Sequence, residues 1–159
     1  MFRRNDTGAI SVITVFVVAA SLGVVSAQST AQKDVERVIR DFLVAFGNRD
    51  FAVFVPYFSE DATVFFPPST AAPLGRVQGR SEIERAFKTI FDAYPPRTGR
   101  PPTPIAPQDL LIQELDGHAV VTFQLGSETA RQRRTFVLKR IGDQWKIVHL
   151  HGSAAANQQ

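Results

Sequence analysis

From residue 110 to residue 150 the chain is built from short segments of strand pattern, and this constrains the fold more than any other feature. Residues 110–115, 118–125, 133–140 and 145–150 either alternate apolar with polar or are rich in β-branched and aromatic side chains, as strands covered on one face are. Asp116-Gly117 separates the first two segments and suits a two-residue hairpin turn, because both positions take positive φ. Residues 141–144 close a second hairpin. Strands joined in this way form an antiparallel sheet, and its apolar face needs a cover.

The cover lies upstream. Val35, Val38, Ile39, Phe42, Leu43 and Phe46 recur on one face of a helix, which Gly47-Asn48 ends. A shorter helical piece sets Phe51, Phe54, Val55 and Phe58 on one side, Ser59-Glu60-Asp61 stops it, and residues 62–66 form a strand. Ser81 with Glu84 three residues on reads as a capping box. It opens a third helix, striped by Ile83, Phe87, Ile90, Phe91 and Tyr94 and ended by Pro95-Pro96. Residues 95–107 hold six prolines and read as an extended connection. Three helices ahead of an antiparallel sheet predict an α+β domain. Thirteen Phe against two Tyr and one Trp place a large aromatic volume between the layers, part of which is expected to line a cavity.

Ahead of the first helix, Arg3 and Arg4 precede an uncharged apolar run over residues 9–25, and Val25-Ser26-Ala27 places small residues for signal peptidase. The run is short for a membrane span and contains Ser11, Thr14 and Ser21. Residues 1–27 are therefore expected to be a cleaved signal, making the protein periplasmic or secreted and membrane-associated only if the segment stays uncleaved. Residues 28–159 then form one domain with an ordered core at about 31–153. Without Arg3, Arg4 and Asp6 the charge is nearly balanced, and no aromatic residues interleave with a basic run, so a nucleic-acid partner is not expected. The chain has no Cys, which excludes disulfides, thiolate metal sites and a cysteine nucleophile.

Phe58-Ser59-Glu60-Asp61-Ala62-Thr63-Val64, with Gly79-Arg80-Ser81-Glu82-Ile83 downstream, resembles a segment shared across the NTF2-like superfamily. Trp145-Lys146-Ile147-Val148-His149-Leu150-His151-Gly152-Ser153 resembles the last strand of its SnoaL-like branch, which includes the calmodulin-dependent kinase II association domain and DUF4440-type domains. The resemblance implies a cone, with three N-terminal helices packed on a strongly curved antiparallel sheet, a deep pocket between them, and a homodimer formed through the convex sheet face. It leaves the function open among polyketide cyclases, isomerases, dehydratases, hydrolases and assembly domains. Ketosteroid isomerase-like members carry a carboxylate base before a proline at the end of the first strand and a Tyr oxyanion donor in the first helix. The matching residues here are Phe66 and Phe42, which neither accept a proton nor donate a hydrogen bond, so that activity is disfavoured. Asp61 matches the family's acidic position, where it organises the turn into the strand.

Simple alternation along the last strand places His149 and His151 on one face with Trp145 and Ile147. The two imidazoles are the candidate catalytic acid and base, the alternative being that they only pack and hydrogen-bond the end of the sheet. No third ligand stands at a fixed spacing from them, so no metal is assigned, and no cofactor is implied. Candidate ligand-binding residues are Phe42, Tyr57, Phe66, Phe87, Phe91, Tyr94, Phe123 and Trp145, together with Arg133 as a forked partner for a carboxylate. Arg131 shares the face of Arg133, and Arg134 takes the other. These residues lead to three functional readings: an exported protein binding a small, largely apolar molecule in the cone, an enzyme of cyclase, dehydratase or hydrolase type using His149 or His151, and an assembly domain.

Overall fold

The computed structural model describes residues 29–95, 104–126 and 131–154. The expected signal at 1–27 and the middle of the proline-rich connection lie outside the described residues. Helix α1 (Thr30–Gly47) starts at a capping box: the Ser29 hydroxyl accepts the Gln32 N–H at 3.0 Å, and the Gln32 side chain accepts the Ser29 N–H at 3.2 Å. The same hydroxyl donates to Glu114 at 2.6 Å, tying the start of the helix to the sheet. Val35, Ile39, Phe42 and Leu43 are buried, as their spacing requires.

Helix α2 (Phe51–Phe54) is one turn, capped by the Asp50 carboxylate on the Val53 N–H, and runs into a 3₁₀ turn at Val55–Tyr57. Strand β1 (Phe58–Phe65) follows at once. Ser59-Glu60-Asp61, expected to stop a helix, is therefore already strand. Pro56 tightens the turn, and pairing of Phe58 with Ile147 on a distant strand recruits the next residues. Asp61 accepts the Ser59 hydroxyl at 2.8 Å. Strand β2 (Val77–Gln78) hands the chain directly to helix α3 (Arg80–Ala93) through Gly79, at φ 92°. The Gly79 N–H bonds the Ala62 carbonyl at 2.8 Å, which fixes the helix start one residue before the expected cap and leaves Ser81 inside the first turn.

Arg49, at φ 58°, closes the other end of α3. Its guanidinium donates to the carbonyls of Phe91 and Tyr94 and lies 4.7 Å from the Phe91 ring centroid, satisfying acceptors that the helix leaves open.

Strands β3 (Gln108–Leu115), β4 (His118–Leu125), β5 (Gln132–Ile141) and β6 (Gln144–Ala154) form the two expected hairpins, with Asp116 and Gly117 at φ 31° and 72°. The sheet order is β2-β1-β6-β5-β4-β3. Every pair is antiparallel except β1 with β6, so the sheet is mixed at this seam rather than wholly antiparallel. Register shifts in β1/β6, β3/β4 and β5/β6 accompany its curvature. The helices cover one face, and between them and the sheet Ile39, Phe54, Phe58, Ile83, Phe136, Leu138 and Ile147 are fully buried.

The shift in β5/β6 decides where the last strand's side chains go. Val137 pairs with His149 and Leu138 with Ile147, so Val148 is an extra residue. Trp145 and Ile147 face the core before the bulge, and Leu150 and Gly152 face it afterwards. His149 and His151 consequently lie on the outer face, opposite Trp145 and Ile147, which corrects the shared face expected from unbroken alternation.

Candidate functional site

A cavity of about 810 Å³ opens between α1, α3 and the inner face of the sheet. Phe42, Phe66, Phe87, Phe123, Phe136 and Leu150 make its apolar wall. The helix stripes put Phe42 and Phe87 there, and alternation along β4 and β5 adds Phe123 and Phe136, whose rings stack at 5.4 Å. Tyr94 lines the cavity from the end of α3, about half exposed, with its hydroxyl 3.2 Å from that of Thr70. The loop hydroxyl of Ser69, and then that of Thr70, lowers its pKa.

The other expected ligand contacts lie elsewhere. Phe91 packs behind the wall against Phe46, Phe51 and Phe54, because the aromatic stripe is wider than the cavity. Tyr57 and Trp145 line a separate cleft of about 390 Å³ at the β5–β6 hairpin end, with Arg37 and Arg140 on its rim. Burial, and secondarily the charge of Asp41, raises the Tyr57 pKa. Arg133 is exposed and pairs with Ser153 on the outer face.

The arginine of the cavity is Arg134. It sits two residues before Phe136 and four before Leu138, both buried against the helices, and this apolar register was the sequence signal that marked it as inward. One Nη donates to the Arg133 carbonyl at 2.9 Å and the other to the Gln132 side-chain oxygen. Burial pulls its pKa below the ordinary arginine value, and among the described residues no carboxylate pairs with it. Gly152 lets the backbone pass close by: a Cβ there would lie 2.7 Å from the Pro67 ring and 3.4 Å from Arg134 Nη1. Gln108 and Gln132, which sequence pattern did not single out, complete the polar rim at the exposed end.

His149 and His151 form their own cluster outside the cavity. His149 Nδ1 lies 2.7 Å from the Thr63 hydroxyl, and the Phe65 ring sits 6.1 Å from one imidazole and 5.8 Å from the other. Desolvation first, and then the charge of His151, lowers the His149 pKa. The unfolded chain therefore takes this proton first, so stability is undiminished above the unfolded imidazole value of about 6.5 and declines as pH falls through it toward the lower folded value. Thermal melts at a series of pH values on both sides of that value should show a steeper acid decline for the native sequence than for His149→Gln. Equal slopes would show that this imidazole is not coupled to folding.

A family model described as a SnoaL-like domain matches residues 35–157. Among solved structures, an NTF2-like protein of unknown function from Pseudomonas putida KT2440 aligns with TM-score 0.65 and 18% identity over 81% of this chain and 89% of that one. A DUF3225-family protein of unknown function from Pectobacterium atrosepticum gives 0.61 and 19% over 81% and 94%. The hub homology domain of CamKII from Chlamydomonas reinhardtii gives 0.59 and 19% over 80% and 100%. At these identities the likeness is one of fold. Comparison with curated proteins gives no match.

Proposed function

The chain belongs to the SnoaL-like domain family, and on that premise we propose that it is an exported protein that binds a small, largely apolar anion in the cavity between helices and sheet. The observation that carries this reading is Arg134, a partly desolvated cation in an aromatic wall, without a carboxylate partner among the described residues. A guanidinium in that setting gains more from an anionic ligand than it would in water, because the surrounding dielectric is low. Binding is favoured over turnover by the lining itself. Among the described residues that line it, the ionisable side chains are Tyr94 and Arg134, whereas proton transfer needs a base within hydrogen-bond reach of the substrate. His149 and His151 face outward, so an enzyme built on them would work on a different surface.

A second reading, homodimerisation through the convex face, is supported by Phe65, Leu111, Val137 and Val148, which leave apolar surface there partly or largely exposed. The likeness to a hub homology domain is in keeping with it. Export is supported by Arg3 and Arg4 ahead of the uncharged apolar run at 9–25 and by the small residues Val25-Ser26-Ala27 that follow it.

Native mass spectrometry of protein recovered from the exported fraction tests all three elements together. The expected spectrum is a dimer of chains beginning at Gln28 that carries a small-molecule adduct. Arg134→Met should lose the adduct and bind decanoate about 10–100-fold more weakly, the worth of one or two charge-assisted hydrogen bonds. A bare native protein that decanoate does not stabilise against heat removes the ligand reading, a strict monomer removes the dimer, and a chain beginning at Met1 removes export.

A further inference from the structure

The rim of the cavity offers donors on one side and an acceptor on the other, and this asymmetry discriminates among apolar anions. Such discrimination presupposes the anion binding at Arg134 proposed above. Gln132 and Arg134 stand two residues apart on β5, and both line the cavity. Gln132 turns its side-chain oxygen to the Arg134 guanidinium, which leaves its amide N–H groups facing away from that bond. The guanidinium gives one further proton to the Arg133 carbonyl and keeps the rest of its five. The β5 side of the rim therefore holds several unused donors, as a carboxylate requires.

Gln108, on β3, is oriented the other way. Its side-chain nitrogen donates to the Gly126 carbonyl at 3.2 Å, which leaves its side-chain oxygen as an acceptor. Gln108 pairs with Gln124 and Leu125 pairs with Gln132, so β4 separates the two glutamines, and their backbones stand about 10 Å apart at ordinary strand spacing. Two glutamine side chains reaching into that gap leave room for an acid group and a neighbouring substituent. A carboxylate oxygen would be repelled by the Gln108 oxygen, whereas a hydroxyl or amide N–H would bond to it.

We infer that the cavity selects carboxylates carrying a hydrogen-bond donor a few carbons from the acid, namely hydroxy- or amido-acids with an apolar tail, and that Gln108 is the residue that reads the donor. The acid sits at the exposed rim with Gln132 and Arg134, and the tail extends toward Phe42, Phe87 and Phe136.

Titration calorimetry with decanoate and with 3-hydroxydecanoate tests this on the native sequence, Gln108→Leu and Arg134→Met. The hydroxy acid should bind about fivefold more tightly than decanoate, as one neutral hydrogen bond at a partly exposed rim is worth. Gln108→Leu should erase that preference by weakening the hydroxy acid alone, and Arg134→Met should weaken both acids. Gln108 is exposed, so its replacement leaves the core intact. Equal affinities in the native protein, or a preference that survives Gln108→Leu, would overturn the donor requirement while leaving anion binding in place. If neither acid binds, the anion reading fails and this inference fails with it.

Discussion

Phe54→Ala is expected to lower folding stability by about 3–5 kcal/mol, the range for removing a fully buried aromatic ring. Phe54 has no exposed surface, and its ring meets those of Phe42, Phe46, Phe51, Phe87 and Phe91 at 5.1–6.2 Å. Those partners come from all three helices, so no single helix can shift to fill the void without leaving another contact open. Against a total of about 5–15 kcal/mol for a domain, the loss is at least about a fifth. Calorimetry should show the melting temperature lowered by roughly 10–15 °C, with Phe54→Leu recovering most of it. A loss under about 1 kcal/mol would mean that the helices collapse onto the gap, and that the three-helix junction is looser than these distances imply.

The second large effect tests the bulge at Val148. Leu150→Lys is expected to cost about 3–5 kcal/mol, from lost apolar burial and from an ammonium placed against an apolar wall. Leu150 is 6% exposed and pairs with the buried Phe136, and Arg134 lines the same cavity, so the new cation gains no compensating partner. His151→Lys, one residue further on and exposed, should fall within about 0.5 kcal/mol of the native protein. Urea unfolding of the two variants reads the phase of the strand directly. Unbroken alternation from Trp145 would give the reverse order, with His151 intolerant and Leu150 indifferent.

That contrast also marks where sequence pattern stops informing. The stripes at 35–46 and 83–94 and the Asp116-Gly117 turn are local, so periodicity and turn chemistry were enough to place them. The parallel seam between β1 and β6 joins residues 86–89 positions apart, and no pattern within either strand names the other. At Ile147-Val148 two apolar residues follow one another, and either fits an inward position, so the slip that turns both histidines outward left no mark in composition. Phe42 and Phe87 reach the cavity because their helices must face the sheet, Phe123 because alternation along β4 turns it toward them, and Phe66 from the position just past β1. Arg133 and Arg134 are chemically alike, and only the burial of Phe136 and Leu138 tells which of them points inward. Gln108 and Gln132 acquire meaning only from the partners their amides hold.

Trp145 is the chain's one tryptophan, and it stands 7% exposed at the β5–β6 hairpin end, where it lines the smaller cleft and not the larger cavity. The protein thus carries an intrinsic fluorophore that follows loss of the fold and borders the smaller cleft rather than the cavity of Arg134. A compound that does not itself absorb in the tryptophan emission range should therefore change the emission of the folded protein more from the smaller cleft than from the larger cavity, a readout that needs no label.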